Sequence, residues 1–154
     1  MKHIIMSALL MLSTLISTNT SAEIKKVFGD YEIHYIVLNS TFLEPKVAKA
    51  YDLKRSKNLG YVSISVLKND KSTDLPKAVN ADLSLVMSNL IGQKKTIELK
   101  RVEESGAIYY LNTFTFDNED IYNFYLTATP EDHKRTYDFR FSQKMYAEDF
   151  NQNK

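Results

Sequence analysis

Beyond residue 23 apolar and polar residues alternate with a period of two. In YEIHYIVL, Tyr31, Ile33, Tyr35 and Val37 share one side. In YVSISVL, Val62, Ile64 and Val66 oppose Ser63 and Ser65. VNADLSLVM groups Val79, Ala81, Leu83, Leu85 and Met87 against Asn80, Asp82 and Ser84. TIELKRV turns Ile97 and Leu99 inward, IYYLNTFTF turns Ile108, Tyr110, Phe114 and Phe116 inward, and YNFYLTA turns Tyr122, Phe124 and Leu126. YDFRFSQ sets Tyr137, Phe139 and Phe141 against Asp138, Arg140 and Ser142. Successive strand side chains point to opposite faces, so this alternation predicts strands with one buried and one wet face, the antiparallel pattern.

These seven runs, with a weaker first strand in IKKVF, predict an all-β, immunoglobulin-like antiparallel β-sandwich of seven to eight strands. A small closed barrel is the alternative. Gly29, Gly60, Pro76, Gly92, Gly106 and Pro130 fall between the runs, where turns are expected. The chain has neither Cys nor Trp, so the likeness to antibody domains is one of architecture only.

One stretch breaks the rhythm. NSTFLEPKVAKAYDLKRS, at 39–56, places Pro45 where a helix begins, at the position where its missing N–H costs nothing. A short helix over about 45–53 is predicted between the second and third strands. It groups Leu43, Val47, Ala50 and Tyr51 on one arc, with Lys46, Lys49 and Asp52 opposite. So short a helix is unstable alone in water and must dock. The expected seat is an open end of the sandwich, through Val47 and Tyr51.

The ends change the picture. Lys2, the apolar run Ile4–Ile16 and the small residues Thr20 and Ala22 read as an export signal at 1–22, with cleavage between Ala22 and Glu23. The expected organisation is therefore signal 1–22, sandwich domain 23–147 and a flexible polar tail 148–154. The expected location is the periplasm, with no stable membrane insertion of the mature chain. Without Lys2, 19 basic residues balance 19 acidic ones, which gives no electrostatic footprint for nucleic acid. Without cysteine, no disulfide supports the fold.

Few residues point to chemistry. The mature part carries only His34 and His133, too few for a clustered metal site, and no metal or cofactor is expected. DNED at 117–120 lacks the glycine and spacing of a calcium loop. No serine sits in a nucleophile-elbow context, and no glycine-rich loop exists to hold phosphate. Glu103 and Glu104 are neighbours near a hairpin turn and should point to opposite faces. The basic groups Lys54, Arg55 and Lys57, then Lys94 and Lys95, then Lys100 and Arg101 read as solvated faces or as contacts for anionic headgroups. Tyr109, Tyr110, Tyr122 and Tyr125 crowd two successive strands; an exposed tyrosine strip would suit carbohydrate or protein.

NSTFLEPKVAKAYDLKRSKNLGYVSISVLK, then NLIGQ, AIYYLNTFTFD and RFSQKMY, resemble in order the pattern of a family of small exported proteins of Gram-negative bacteria, known as a domain of unknown function. The resemblance implies a periplasmic sandwich and no assigned activity.

The expected function is that of a non-enzymatic periplasmic binding or interaction domain, its partner a periplasmic or envelope protein. The candidate surface is Asn39, Ser40, Thr41, Tyr51, Arg55 and Ser56, since loops at sandwich ends often carry function. One alternative is a hydrolase with a site near His34, using a hydroxyl such as Ser40 or Thr41. Another is a carrier of a small apolar ligand between the sheets.

Overall fold

The computed structural model describes residues 24–147 apart from position 74. The export signal, the cleavage point at Ala22 and Glu23, and the tail 148–154 lie outside the described residues. Ten strands follow one another: β1 (Ile24–Phe28), β2 (Tyr31–Asn39), β3 (Leu59–Lys68), β4 (Lys77–Ala78), β5 (Ala81–Ser88), β6 (Lys94–Thr96), β7 (Lys100–Glu104), β8 (Ala107–Thr115), β9 (Ile121–Pro130) and β10 (Tyr137–Lys144). A 3-10 turn (Ser40–Phe42) and a helix, α1 (Pro45–Ala50), separate β2 from β3.

The strands form two antiparallel sheets. One runs β1-β2-β3-β8-β7, with β4 also on β3; the other runs β10-β9-β5-β6. The alternation fills the space between them. Ile33, Val62, Ile64, Val66, Leu85 and Phe124 are shut off from solvent. Burying each such side chain contributes roughly 1.5–3 kcal/mol. Phe124 sits centrally, edge-on to Phe114 at 5.5 Å and stacked on Phe141 at 5.0 Å between ring centroids. The sandwich is the architecture that the alternation predicted.

Two details differ from the one-dimensional pattern. TIELKRV is not one strand. It leaves the second sheet after β6 and joins the first at β7, and Ile97 and Leu99 turn into the core at the crossing. Strands that change sheets in this way make the corners of sandwiches. The two-residue β4 is the other addition.

The short helical segment, a lid on the sandwich, is where the pattern put it in sequence, but its seat is different. It lies on the outer face of the first sheet, not over an open end. Ala48 and Leu53 pack with Leu111 of β8, flanked by Leu43, Tyr51, Tyr61 and Val102. Val47 remains 38% exposed, and Ala50 is exposed too. The cause is local. The helix stops at Ala50, and Asp52 takes a left-handed φ of 53°. Leu53 N–H then donates to Ala48 O at 2.8 Å and Asp52 N–H to Lys49 O at 3.3 Å. This pair of bonds is a Schellman ending, which brings the residue after the left-handed one back against the last helical turn. Leu53 and Ala48 thus become the underside, shifting the apolar arc expected for a longer helix.

Candidate binding site

The lid only partly covers that outer face. Beside it lies a hollow of about 290 Å³, lined by His34 and Ile36 of β2, Tyr61, Ser63 and Ser65 of β3, Tyr109 and Leu111 of β8, and by Tyr35, Tyr51 and Glu104. The strand pairing makes it. His34 faces Ser65 across β2 and β3, Ile36 faces Ser63, and Ser63 faces Leu111 across β3 and β8. The two serines are short side chains mid-strand, where bulky branched ones are usual, and they form a low floor. Tyr51, Tyr61 and Tyr109 stand around it. Tyr51 OH donates to Glu104 Oε2, which ties the lid to the end of β7. Burial raises the Tyr61 phenol above its ordinary value, so at neutral pH it remains a donor.

His34 is tied to its strand neighbour Glu32. Its Nε2 lies 3.0 Å from Glu32 Oε2. Glu32 also accepts from Asn69 Nδ2 at 3.0 Å and from Lys25 Nζ at 2.9 Å. The Asn69 bond, then those from Lys25 and His34, hold its carboxyl at about 2, against 4.5 unperturbed. A depressed carboxyl stabilises the fold fully above the unfolded value and loses that contribution as pH falls through the folded one. The stability difference between wild type and Glu32→Gln is therefore expected to be flat above pH 4.5 and to vanish towards about pH 2. Its plateau should be about 1 kcal/mol, because the ion pair to Lys25 is partly open to water. Urea denaturation across that range measures it; a difference independent of pH would contradict the role given to Glu32.

The six residues singled out in the sequence divide into two groups. Tyr51 lines the hollow. The other five brace the 39–58 crossover. Asn39 Nδ2 donates to the carbonyls of Lys57 (2.7 Å) and Tyr146 (2.8 Å), and its Oδ1 accepts from Thr41 N–H at 2.9 Å. Ser40 Oγ donates to Ser56 O at 3.1 Å and accepts from Ser56 N–H at 3.0 Å. Arg55 Nη2 donates to Thr41 O at 2.9 Å. Ser40 lies six residues along the chain from His34; the serines that share a pocket with His34 are Ser63 and Ser65. Sequence reasoning passed over Tyr61, Ser63 and Ser65, set Glu104 aside as part of a hairpin turn, and named Tyr109 only within an exposed tyrosine strip. The available signal was a run of large side chains at positions assigned to the wet face.

The space between the sheets is packed with rings, Tyr35 meeting Phe141 at 4.3 Å and Phe139 at 5.2 Å. A recess of about 420 Å³ lies at its edge, lined by Ile24, Val37, Phe141 and their neighbours.

These features define an all-β sandwich domain with a tyrosine-walled hollow on its outer face. The chain belongs to DUF4426, a domain of unknown function, whose family model matches residues 25–148. It is similar to a DUF4426 family protein from Pseudomonas aeruginosa, with 30% sequence identity and a TM-score of 0.70 over 82% of this chain and 97% of that one. It shares its fold with a copper-bound variant of FetP from uropathogenic Escherichia coli, at 12% identity and a TM-score of 0.57 over 80% of this chain and 94% of that one. A second FetP structure, of the as-isolated protein, aligns at 11% identity and a TM-score of 0.58 over 83% and 96% of the two chains. No curated protein gives a significant match.

The fold of a copper-bound protein poses a question that the donor atoms answer. Among the described residues, no three His, Cys, Asp or Glu side chains come together as metal ligands. His34 is engaged by Glu32, while His133 stacks on Tyr31 at 5.5 Å. Met87 and Met145 are buried in the core. Copper favours clustered imidazole, thioether or thiolate donors, so the residues present do not fit it.

Proposed function

We propose that this protein is a non-enzymatic periplasmic binding domain whose ligand occupies the hollow beside α1. The observation that carries the proposal is the serine floor inside a ring of three tyrosines, with His34 and Glu104 also in the lining. Apolar walls with a few convergent polar groups are what small-molecule sites share. The volume suits one small ring, and phenol faces with hydroxyl floors match a monosaccharide unit. The periplasmic location is supported by the export pattern of residues 1–22 and by kinship of fold with a FetP recombinantly expressed in the periplasm.

Ser65→Phe would fill the hollow from its floor without touching the core between the sheets. Amide chemical shifts of the wild type at Ser63, Ser65 and Tyr109 are expected to move on adding N-acetylglucosamine or the small-molecule fraction of an envelope extract. The variant should fold normally and lose the response by tenfold or more, an order set by the loss of a well-filled contact. An equal response in both proteins, or none in the wild type, rejects the site.

A second reading, a hydrolase, is favoured by one observation: Glu32, His34 and Ser65 line up across β2 and β3 on the same face. Carboxylate, imidazole and hydroxyl in sequence are the parts of an activated serine. Fluorophosphonate labelling of Ser65, lost in His34→Ala, would support it; an unlabelled protein removes it.

A further inference from the structure

The β5–β6 hairpin ends in a feature that the fold does not need. Leu90 and Ile91 stand side by side at its tip, 66% and 80% exposed. Neither belongs to a core cluster. The turn is shaped by polar bonds instead. Gly92 N–H donates to Asn89 O at 3.1 Å, Gln93 N–H to Asn89 Oδ1 at 2.9 Å, and Asn89 Nδ2 to Gln93 Oε1 at 2.8 Å. Gly92, at a φ of 86°, closes it. The aliphatic pair is thus presented on a rigid support and contributes nothing to the turn itself.

Two exposed lysines follow at once, Lys94 and Lys95. Neither pairs with a carboxylate at salt-bridge distance among the described residues, and Lys95 Nζ reaches only Thr115 Oγ1 at 3.4 Å. Phe42, 68% exposed, belongs to the crossover at the same end of the sandwich. An apolar tip backed by ammonium groups is complementary to a bilayer with anionic headgroups. We infer that Leu90 and Ile91 enter the interfacial layer of an anionic membrane, with Lys94 and Lys95 against the headgroups. Asp117 borders the same groove, and Glu119 and Asp120 lie on the adjoining turn, so the lysines add the smaller share and the aliphatic pair is the anchor. Among the described residues no helix is long and apolar enough to cross a membrane, so the contact is a peripheral one.

Vesicle flotation of the protein purified after export tests this, with every variant carrying the same N-terminus. The wild type is expected to float with phosphatidylethanolamine–phosphatidylglycerol vesicles, and less with phosphatidylcholine alone. Leu90→Ser/Ile91→Ser should reduce partitioning by roughly tenfold or more, as two lost aliphatic insertions require. Its melting temperature should stay unchanged, because neither side chain belongs to a core cluster. Lys94→Gln/Lys95→Gln should lose about fivefold per charge at most, and only on anionic vesicles. A wild type that stays unbound on both vesicle types overturns the inference. So does a serine variant that floats as the wild type does, or one whose melting temperature falls with its binding.

Discussion

Gly60→Ala is expected to destabilise this protein by about 2 kcal/mol, and Gly60→Val by more, although Gly60 sits in a strand where a side chain is normally an advantage. Gly60 pairs with Asn39 on one side and Phe114 on the other. A Cβ added there would lie 2.3 Å from Phe114 Cζ and 2.6 and 2.7 Å from the two Cε atoms. Carbon atoms do not approach so closely, so the ring must leave. It has little room to do so, being 3% exposed and set edge-on against Phe124. Two effects oppose each other. Alanine restricts the unfolded chain, which favours folding by about 0.4–1 kcal/mol where the backbone tolerates it. Overpacking a filled core costs about 1–3 kcal/mol, and the steric term wins. The melting temperature should fall by roughly 5–10 °C. Phe114→Leu in the Gly60→Ala background should cost less than the two changes added separately, because the contact at fault is then gone. An alanine variant as stable as wild type would show that the ring is free to swing away.

Glycine was legible in the sequence only as a turn mark. The structure shows the reverse need at Gly60: a buried strand position left bare so that a cross-strand ring can lie over the backbone. No residue near it in sequence announces Phe114, which is brought there by the β3–β8 register. The sandwich itself was readable because burial alternates along each strand, and parity is a local property. Ile108, Tyr110, Phe114 and Phe116 share a parity and all face the core.

The outer-face site was hidden by the same rule. Tyr61, Val102, Tyr109 and Leu111 have the other parity, which a period-two reading assigns to water. Those large side chains on a nominally wet face were the signal that something covers it. The cover is α1, and the two groups meet only through pairing of distant strands. The lid's phase was missed for a smaller reason. A left-handed Asp52 ends the helix early, and Asp is a less usual residue there than Gly or Asn. TIELKRV was misread because a strand that changes sheets keeps its alternation through the corner, so nothing in the pattern marks the break at 97–99.

Asn39→Ala is expected to cost about 3 kcal/mol, a stability effect at a residue whose sequence context pointed to binding. Asn39 is 4% exposed and ends β2. Its one side chain satisfies three backbone groups, the carbonyls of Lys57 and Tyr146 and the N–H of Thr41. It therefore joins the end of β2, the start of β3 and the chain leaving β10. Each bond adds about 1 kcal/mol net, and an unmet buried partner costs more than the bond was worth. Asn39→Asp should be worse than alanine at neutral pH. A carboxylate keeps the bond from Thr41 but cannot donate, and it sets a charge against two carbonyl oxygens. The urea midpoint should fall in both variants at unchanged slope. Hydrogen exchange should quicken at Met145, whose N–H bonds Asp120 O at 2.9 Å next to Tyr146. Thr41→Ala, which leaves the Thr41 N–H in place, should move neither reading by more than about 0.5 kcal/mol. The opposite pattern, a normal midpoint and normal exchange in Asn39→Ala together with a lost binding partner, would make Asn39 a contact residue and the brace incidental.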